Sequence, residues 1–187
     1  MLLWFILALA AVILIYAIVV FNSLVRTRQM ANEAWSGIDV QLKRRSDLVP
    51  NLVDSVKGYA AHERGVLEQV TVMRGAARAL PSDAVAARAQ AEGALSAALG
   101  RLFAVAEDYP DLKASANFLQ LQQQLSDLEN EIQMARRYYN GTVRNLDVLV
   151  QSFPSSLIAG PLGFTQRDYF EIADAGERAV PQVDLKR

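Results

Sequence analysis

LLWFILALAAVILIYAIVVF, residues 2–21, carries no charge, and the first charged side chain after it is Arg26. Twenty apolar residues in a helix rise about 30 Å, the thickness of the hydrocarbon core of a bilayer. The stretch therefore reads as a membrane-spanning helix. It opens at Leu2; Trp4 and Phe21 suit its two interfaces, and Tyr16 is a mildly polar residue inside it. A cleaved signal peptide would need a basic leader, a shorter apolar core and a small-residue cleavage site. Only Met1 precedes this run, and Asn22-Ser23-Leu24-Val25-Arg26 follows it without an A-x-A pattern. The expectation is a retained anchor over residues 1–25, with the lipid bilayer as its partner.

Lys and Arg set the expected orientation. None precedes the apolar run; Arg26 and Arg28 follow it closely, and Lys43, Arg44 and Arg45 come later. The excess of basic residues on one side places the N-terminus outside and the following domain in the cytoplasm.

Helical periodicity continues beyond the anchor. Steps of four and three from Leu24 reach Arg28, Ala31, Trp35, Ile38, Leu42, Arg45, Val49, Leu52, Val56 and Tyr59. Most are apolar, and a mean spacing of about 3.5 marks a long helix with a coiled-coil-like seam. Pro50 lies inside this run. Its ring and missing N–H predict a kink near residues 45–49, or a short break between two helices.

A second helical stretch is expected over residues 62–80. Residues 81–83 form a turn in which Ser82 or Asp83 caps the next helix, an Ala-rich one over residues 84–107. The last long helix has the cleanest pattern. Phe118, Leu121, Leu125, Leu128, Ile132, Ala135, Tyr139, Thr142, Leu146, Leu149 and Phe153 keep strict three-four spacing until Pro154. Two long and two shorter helices predict an all-α fold: the anchor continuing into an antiparallel four-helix bundle over residues 26–153. A C-terminal strap, residues 154–187, would follow, extended near Pro181-Gln182-Val183-Asp184. The long seams also invite formation of a homo-oligomer.

Composition narrows the chemistry. The chain holds 19 Lys and Arg against 20 Asp and Glu, so nucleic acid is not an expected partner. It has no Cys, which excludes disulfides and thiolate chemistry, and its single His62 cannot form a multi-histidine metal site within one chain. Phosphate-binding loops and H-E-x-x-H are missing from the sequence. No catalytic residue, metal, cofactor or small-molecule substrate is therefore expected, and the protein reads as a non-enzyme. His62-Glu63 reads as a helix boundary. Asp47, Asn51 and Asp54 share one face and read as a solvated stripe rather than a cation site.

The informative polar residues lie on the seams. Arg45 occupies a core-type position, where an unpaired charge would be costly. Glu129 lies beside the seam of the last helix, and Arg136 lies two turns further on the same face. Arg45 or Arg44 is expected to pair with Glu129 and fix the register of the helices.

Several runs together resemble the LemA family of membrane-anchored bacterial proteins. They are Phe21-Asn22-Ser23-Leu24-Val25, Glu33-Ala34-Trp35-Ser36, IDVQLKRRSDLVPNLVDSVKGYAAHE over residues 38–63, and PDLKASANFLQLQQQLSDLENEIQMARRYYN over residues 110–140. Phe153-Pro154, Gly163-Phe164, Tyr169-Phe170-Glu171 and Pro181-Gln182-Val183-Asp184 extend the likeness over essentially the whole chain. Phe21-Asn22 stands where the family often has Tyr-Asn, and Leu146-Asp147 where a second Tyr-Asn is usual. The resemblance implies a short outer N-terminus, one helix in the bacterial inner membrane and a soluble antiparallel bundle. It implies no established catalytic activity. Family associations with magnetosome-membrane building, and with membrane proteases of the HtpX type or TPM-domain proteins, point to a scaffold that recruits partners or organises membrane. The other reading is an accessory subunit of a membrane protease or stress pathway.

Overall fold

The computed structural model describes residues 1–60 and 62–171. Six helices account for its regular structure: α1 (Leu2–Lys57), α2 (Arg64–Ala79), α3 (Val85–Ala106), α4 (Pro110–Lys113), α5 (Ala116–Gln151) and α6 (Ser156–Ala159). No strand occurs among the described residues. The extended tail expected at residues 181–184 lies outside them, as do residues 172–187 of the strap.

The first 16 residues of the chain are all exposed, and α1 contains a segment long and apolar enough to cross a membrane. The chain divides into two compact units. The first comprises Met1–Gln41 and Asn130–Tyr169; the second comprises, among the described residues, Leu42–Glu129 and residues 170–171. Both α1 and α5 contribute a segment to each unit.

In the first unit, Val20 and Leu24 of α1 join Leu146 of α5, Ala159 and Phe164 in a buried cluster. Phe21 meets Phe164 edge-to-face, with ring centroids 6.2 Å apart, and the Arg28 guanidinium lies 4.7 Å over the same Phe164 ring. Further along, Trp35 packs on Tyr139 at 5.4 Å between ring centroids. Tyr139 is almost wholly buried and donates its hydroxyl to the Asp168 carbonyl at 2.9 Å. Asp147 is buried too, and its carboxylate accepts the Arg167 N–H at 3.3 Å. These two bonds tie the chain after α6 back onto α5.

In the second unit, Val49, Leu52 and Val56 of α1 share a core with Leu67 and Val70 of α2, Leu95, Leu99 and Leu102 of α3, and Phe118 and Leu125 of α5. Full burial of each such side chain contributes about 1.5–3 kcal/mol. The seams read from the sequence are the buried faces: Leu24, Ala31, Ile38, Leu42, Arg45, Val49, Leu52 and Val56 are all buried. Their outermost members differ. Tyr59 and Phe153 are exposed because α1 ends at Lys57 and α5 at Gln151, so neither extends the helical stripe. The α3 cap also differs: the N-cap position falls on Ala84, with no side-chain cap bond, rather than on Ser82 or Asp83. Pro110 opens α4, at a position where its missing N–H costs nothing.

α1 runs through Pro50 without a break. Proline at this position leaves the carbonyl four residues earlier, that of Ser46, without its helical donor. Arg74 of α2 replaces that donor: its Nε–H bonds the Ser46 carbonyl at 2.6 Å. A defect in one helix is thereby turned into a tie to the next. Neighbouring Asp47 accepts from Lys43 at 2.6 Å and lies 3.7 Å from Arg78 of α2. The Lys43 bond, with the positive charges of Lys43, Arg78 and Arg74, holds the Asp47 carboxyl below its ordinary value.

Two outcomes follow. Arg74→Met is expected to cost about 1 kcal/mol, the worth of one hydrogen bond. In a Pro50→Ala background, where residue 50 again supplies the N–H, the cost shrinks; a double-mutant cycle of thermal midpoints in detergent should return a coupling of about 0.5–1 kcal/mol. The second concerns pH. Burial, outweighing the charge of Arg167, pushes the Tyr139 hydroxyl above 10.0. The fold thus favours its neutral form, so this contribution is fully present below pH 10.0 and is lost as pH rises through the raised value. Tyr139→Phe should lower the thermal midpoint at neutral pH and flatten the alkaline fall relative to the parent chain.

Candidate functional site

Arg45 projects from the buried seam of α1, and only 2% of its side chain is exposed. Removing a guanidinium from water costs several kcal/mol unless charges and acceptors surround it. Here they come from two helices. Glu92 of α3 accepts from Arg45 Nη2 at 2.6 Å through Oε2, and its backbone carbonyl lies 3.3 Å from the same nitrogen. Ser96, one turn further on α3, accepts from Nη1 at 2.8 Å. Glu129 of α5 accepts from Nη1 at 2.7 Å through Oε2. One cation thus holds two carboxylates. Glu92 is as deeply buried as Arg45, whereas the Glu129 side chain is 39% exposed.

The satisfaction is incomplete. Arg45 Nε and the hydroxyl of adjacent Ser46 are buried without a hydrogen-bond partner among the described residues. Each such group costs about 1–3 kcal/mol. A cavity of about 380 Å³ lies against the cluster. Leu99, Gly100 and Phe103 of α3 and Gln122, Leu125 and Ser126 of α5 line it, with Arg45, Ser96 and Glu129 on its polar side.

The structure therefore brings Arg45 and Glu129 together. Arg44, the other residue considered for this pair, is exposed, and Arg136 is half-buried in the first unit. Glu92 and Ser96 were not anticipated. The signal was present, because Glu92 precedes Leu95 by three residues and Leu99 by seven and so extends the apolar face of α3 as a charged member. His62 is exposed, and Glu63 accepts from the Tyr109 hydroxyl at 3.4 Å, linking the start of α2 to the chain after α3. Among the described residues no His, Cys, Asp and Glu side chains are grouped to hold a metal ion.

These features define an all-helical protein with one N-terminal apolar helix and a buried Arg–Glu–Glu cluster. The LemA family model matches residues 34–185, and the chain belongs to the LemA family. It is 26% identical to the magnetosome protein MamQ of Magnetospirillum gryphiswaldense, over 87% of this chain and 70% of that protein. It is 27% identical to the protein LemA of Metamycoplasma hominis, over 88% of this chain and 72% of the relative.

Removing one partner of a buried charge cluster costs far more than removing an exposed one. Arg45→Met, which leaves the Glu92 carboxylate buried without its cation, is expected to lose about 3–5 kcal/mol. Glu129→Gln should lose about 1 kcal/mol, since water reaches that side chain. The combined Arg45→Met, Glu92→Leu change should recover most of the loss. Thermal melts of the three variants check this ranking.

Proposed function

We propose that this chain is a membrane-anchored, non-catalytic helical scaffold. In this reading residues 2–21 remain in the bilayer as a single-pass anchor, with the N-terminus outside and the folded part at the cytoplasmic face. The helices of the second unit are an antiparallel four-helix bundle that self-associates or recruits membrane partners. The carrying observation is that one helix, α1, contains both the apolar segment and the buried seam of the core. No Gly- or Pro-rich linker separates them in the sequence.

The charge asymmetry around residues 2–21 supports the sidedness. The under-satisfied Arg45 cluster supports a demand for one helix register, since an apolar replacement would cost less. A relative that is by name a magnetosome protein supports an assignment to membrane organisation. Arg45 donates to Ser96, Glu92 and Glu129 in the manner of a structural tie, which supports a role without catalysis.

Native mass spectrometry of the full chain in lipid nanodiscs tests the proposal. Oligomers that grow with protein concentration are expected. A strictly monomeric particle would refute self-association, and a membrane protease recovered in fixed ratio from native membranes would replace the scaffold by an accessory-subunit role.

A further inference from the structure

The packing of the first unit does not begin after the apolar run but within it. Val20 lies inside residues 2–21, yet it is buried, in the same cluster as Ala159 and Phe164. Phe21, the last residue of the run, holds its ring against Phe164. The chain around α6 is thus attached to the final turn of the apolar segment, and its depth is set by that turn.

The composition of the attached chain fits that depth. Residues 148–166 contain no Asp, Glu, Lys or Arg. Four of its large apolar side chains face outward: Phe153 is 80% exposed, Leu157 66%, Val148 55% and Leu162 52%. In water such a grouping is costly, at about 25 cal/mol for each Å² of apolar surface. Basic groups mark where the apolar character ends. Arg28 lies over Phe164, Arg26 is exposed one turn beyond Phe21, and Arg144 and Arg167 lie just outside the uncharged segment, beside Asp168 and the buried Asp147. Apolar side chains bordered by arginines match the acyl-to-phosphate boundary of a bilayer.

We propose, resting on the reading of residues 2–21 as a membrane span, that residues 148–166 form a foot embedded in the lipid interface beside the anchor. Phe153, Leu157 and Leu162 enter the acyl region, while the arginines meet lipid phosphates. The protein then contacts the membrane at two places: the spanning helix and a laterally offset foot held to it by Phe164.

The absence of cysteine makes single-site spin labelling direct. The full chain carrying Leu157→Cys, Leu162→Cys, Ile13→Cys or Val72→Cys is labelled and reconstituted in phosphatidylcholine–phosphatidylglycerol vesicles. Relaxation by oxygen, which concentrates in lipid, is compared with relaxation by a water-soluble nickel chelate. Labels at 157 and 162 should side with the anchor label at 13, relaxed by oxygen over nickel, whereas the label at 72 on α2 should be relaxed by nickel. Labels at 157 and 162 that behave like 72, with 13 still in lipid, would overturn the foot and leave the anchor standing. Exclusion of both reagents from 157 and 162 would overturn it in favour of a protein covering. A nickel-accessible label at 13 would overturn the anchor and the foot together.

Discussion

The main constraint on this molecule is the continuity of α1. A helix of 56 residues is about 84 Å long and presents one unbroken backbone to whatever surrounds it. Side chains must therefore change along it where the backbone does not. Over the first 16 residues they are exposed and almost wholly apolar, a composition that suits hydrocarbon. From Val20 onward one stripe is buried and the exposed remainder is mostly polar, with Phe21, Met30 and Val40 as exceptions. The remaining helices are arranged to cover that stripe, first with α5 and the chain around α6, later with α2, α3 and α5.

Pro50 shows how continuity is preserved. A proline inside a helix commonly breaks it, because a carbonyl is left without its donor and the ring crowds the preceding turn. Here the freed carbonyl faces α2, and Arg74 supplies the missing N–H. The helix stays continuous and gains a directional bond to its neighbour. One turn earlier, Arg45 anchors α3 and α5 to the same helix. Within a few residues α1 thus carries two polar ties with fixed geometry. Apolar packing tolerates sliding by a turn at modest cost, whereas these bonds are satisfied in one register only.

Much of this was legible in the chain because a helix repeats and its buried face repeats with it. The seams in α1 and α5 predicted the core nearly residue by residue, and failed at Tyr59 and Phe153, where the helix stops and periodicity loses meaning. The Arg45–Glu129 pair was legible because an arginine on an apolar seam demands a carboxylate. Glu92 was overlooked because α3 is rich in alanine, which is compatible with either face, so its buried stripe is faint in sequence. The Arg74–Ser46 bond was hidden for another reason: nothing in the sequence states which part of α2 lies opposite the gap that Pro50 creates. The α3 cap was misplaced because Ser82 and Asp83 have the right chemistry, but the first helical turn begins after Ala84.

Arg45 also bears on what the molecule is built to do. A buried ionic cluster with an orphaned Nε contributes less stability than well-packed hydrophobic residues of the same volume. Its advantage is discrimination: helices that slide or exchange partners would bury Glu92 without a cation, a penalty of several kcal/mol. Such a device matters most where similar apolar seams lie near one another and mispairing is the principal hazard. Copies of this chain confined to one membrane would be in that situation, since anchoring concentrates them and aligns their helices. In the proposed scaffold the cluster would favour pairing within a chain over pairing between chains.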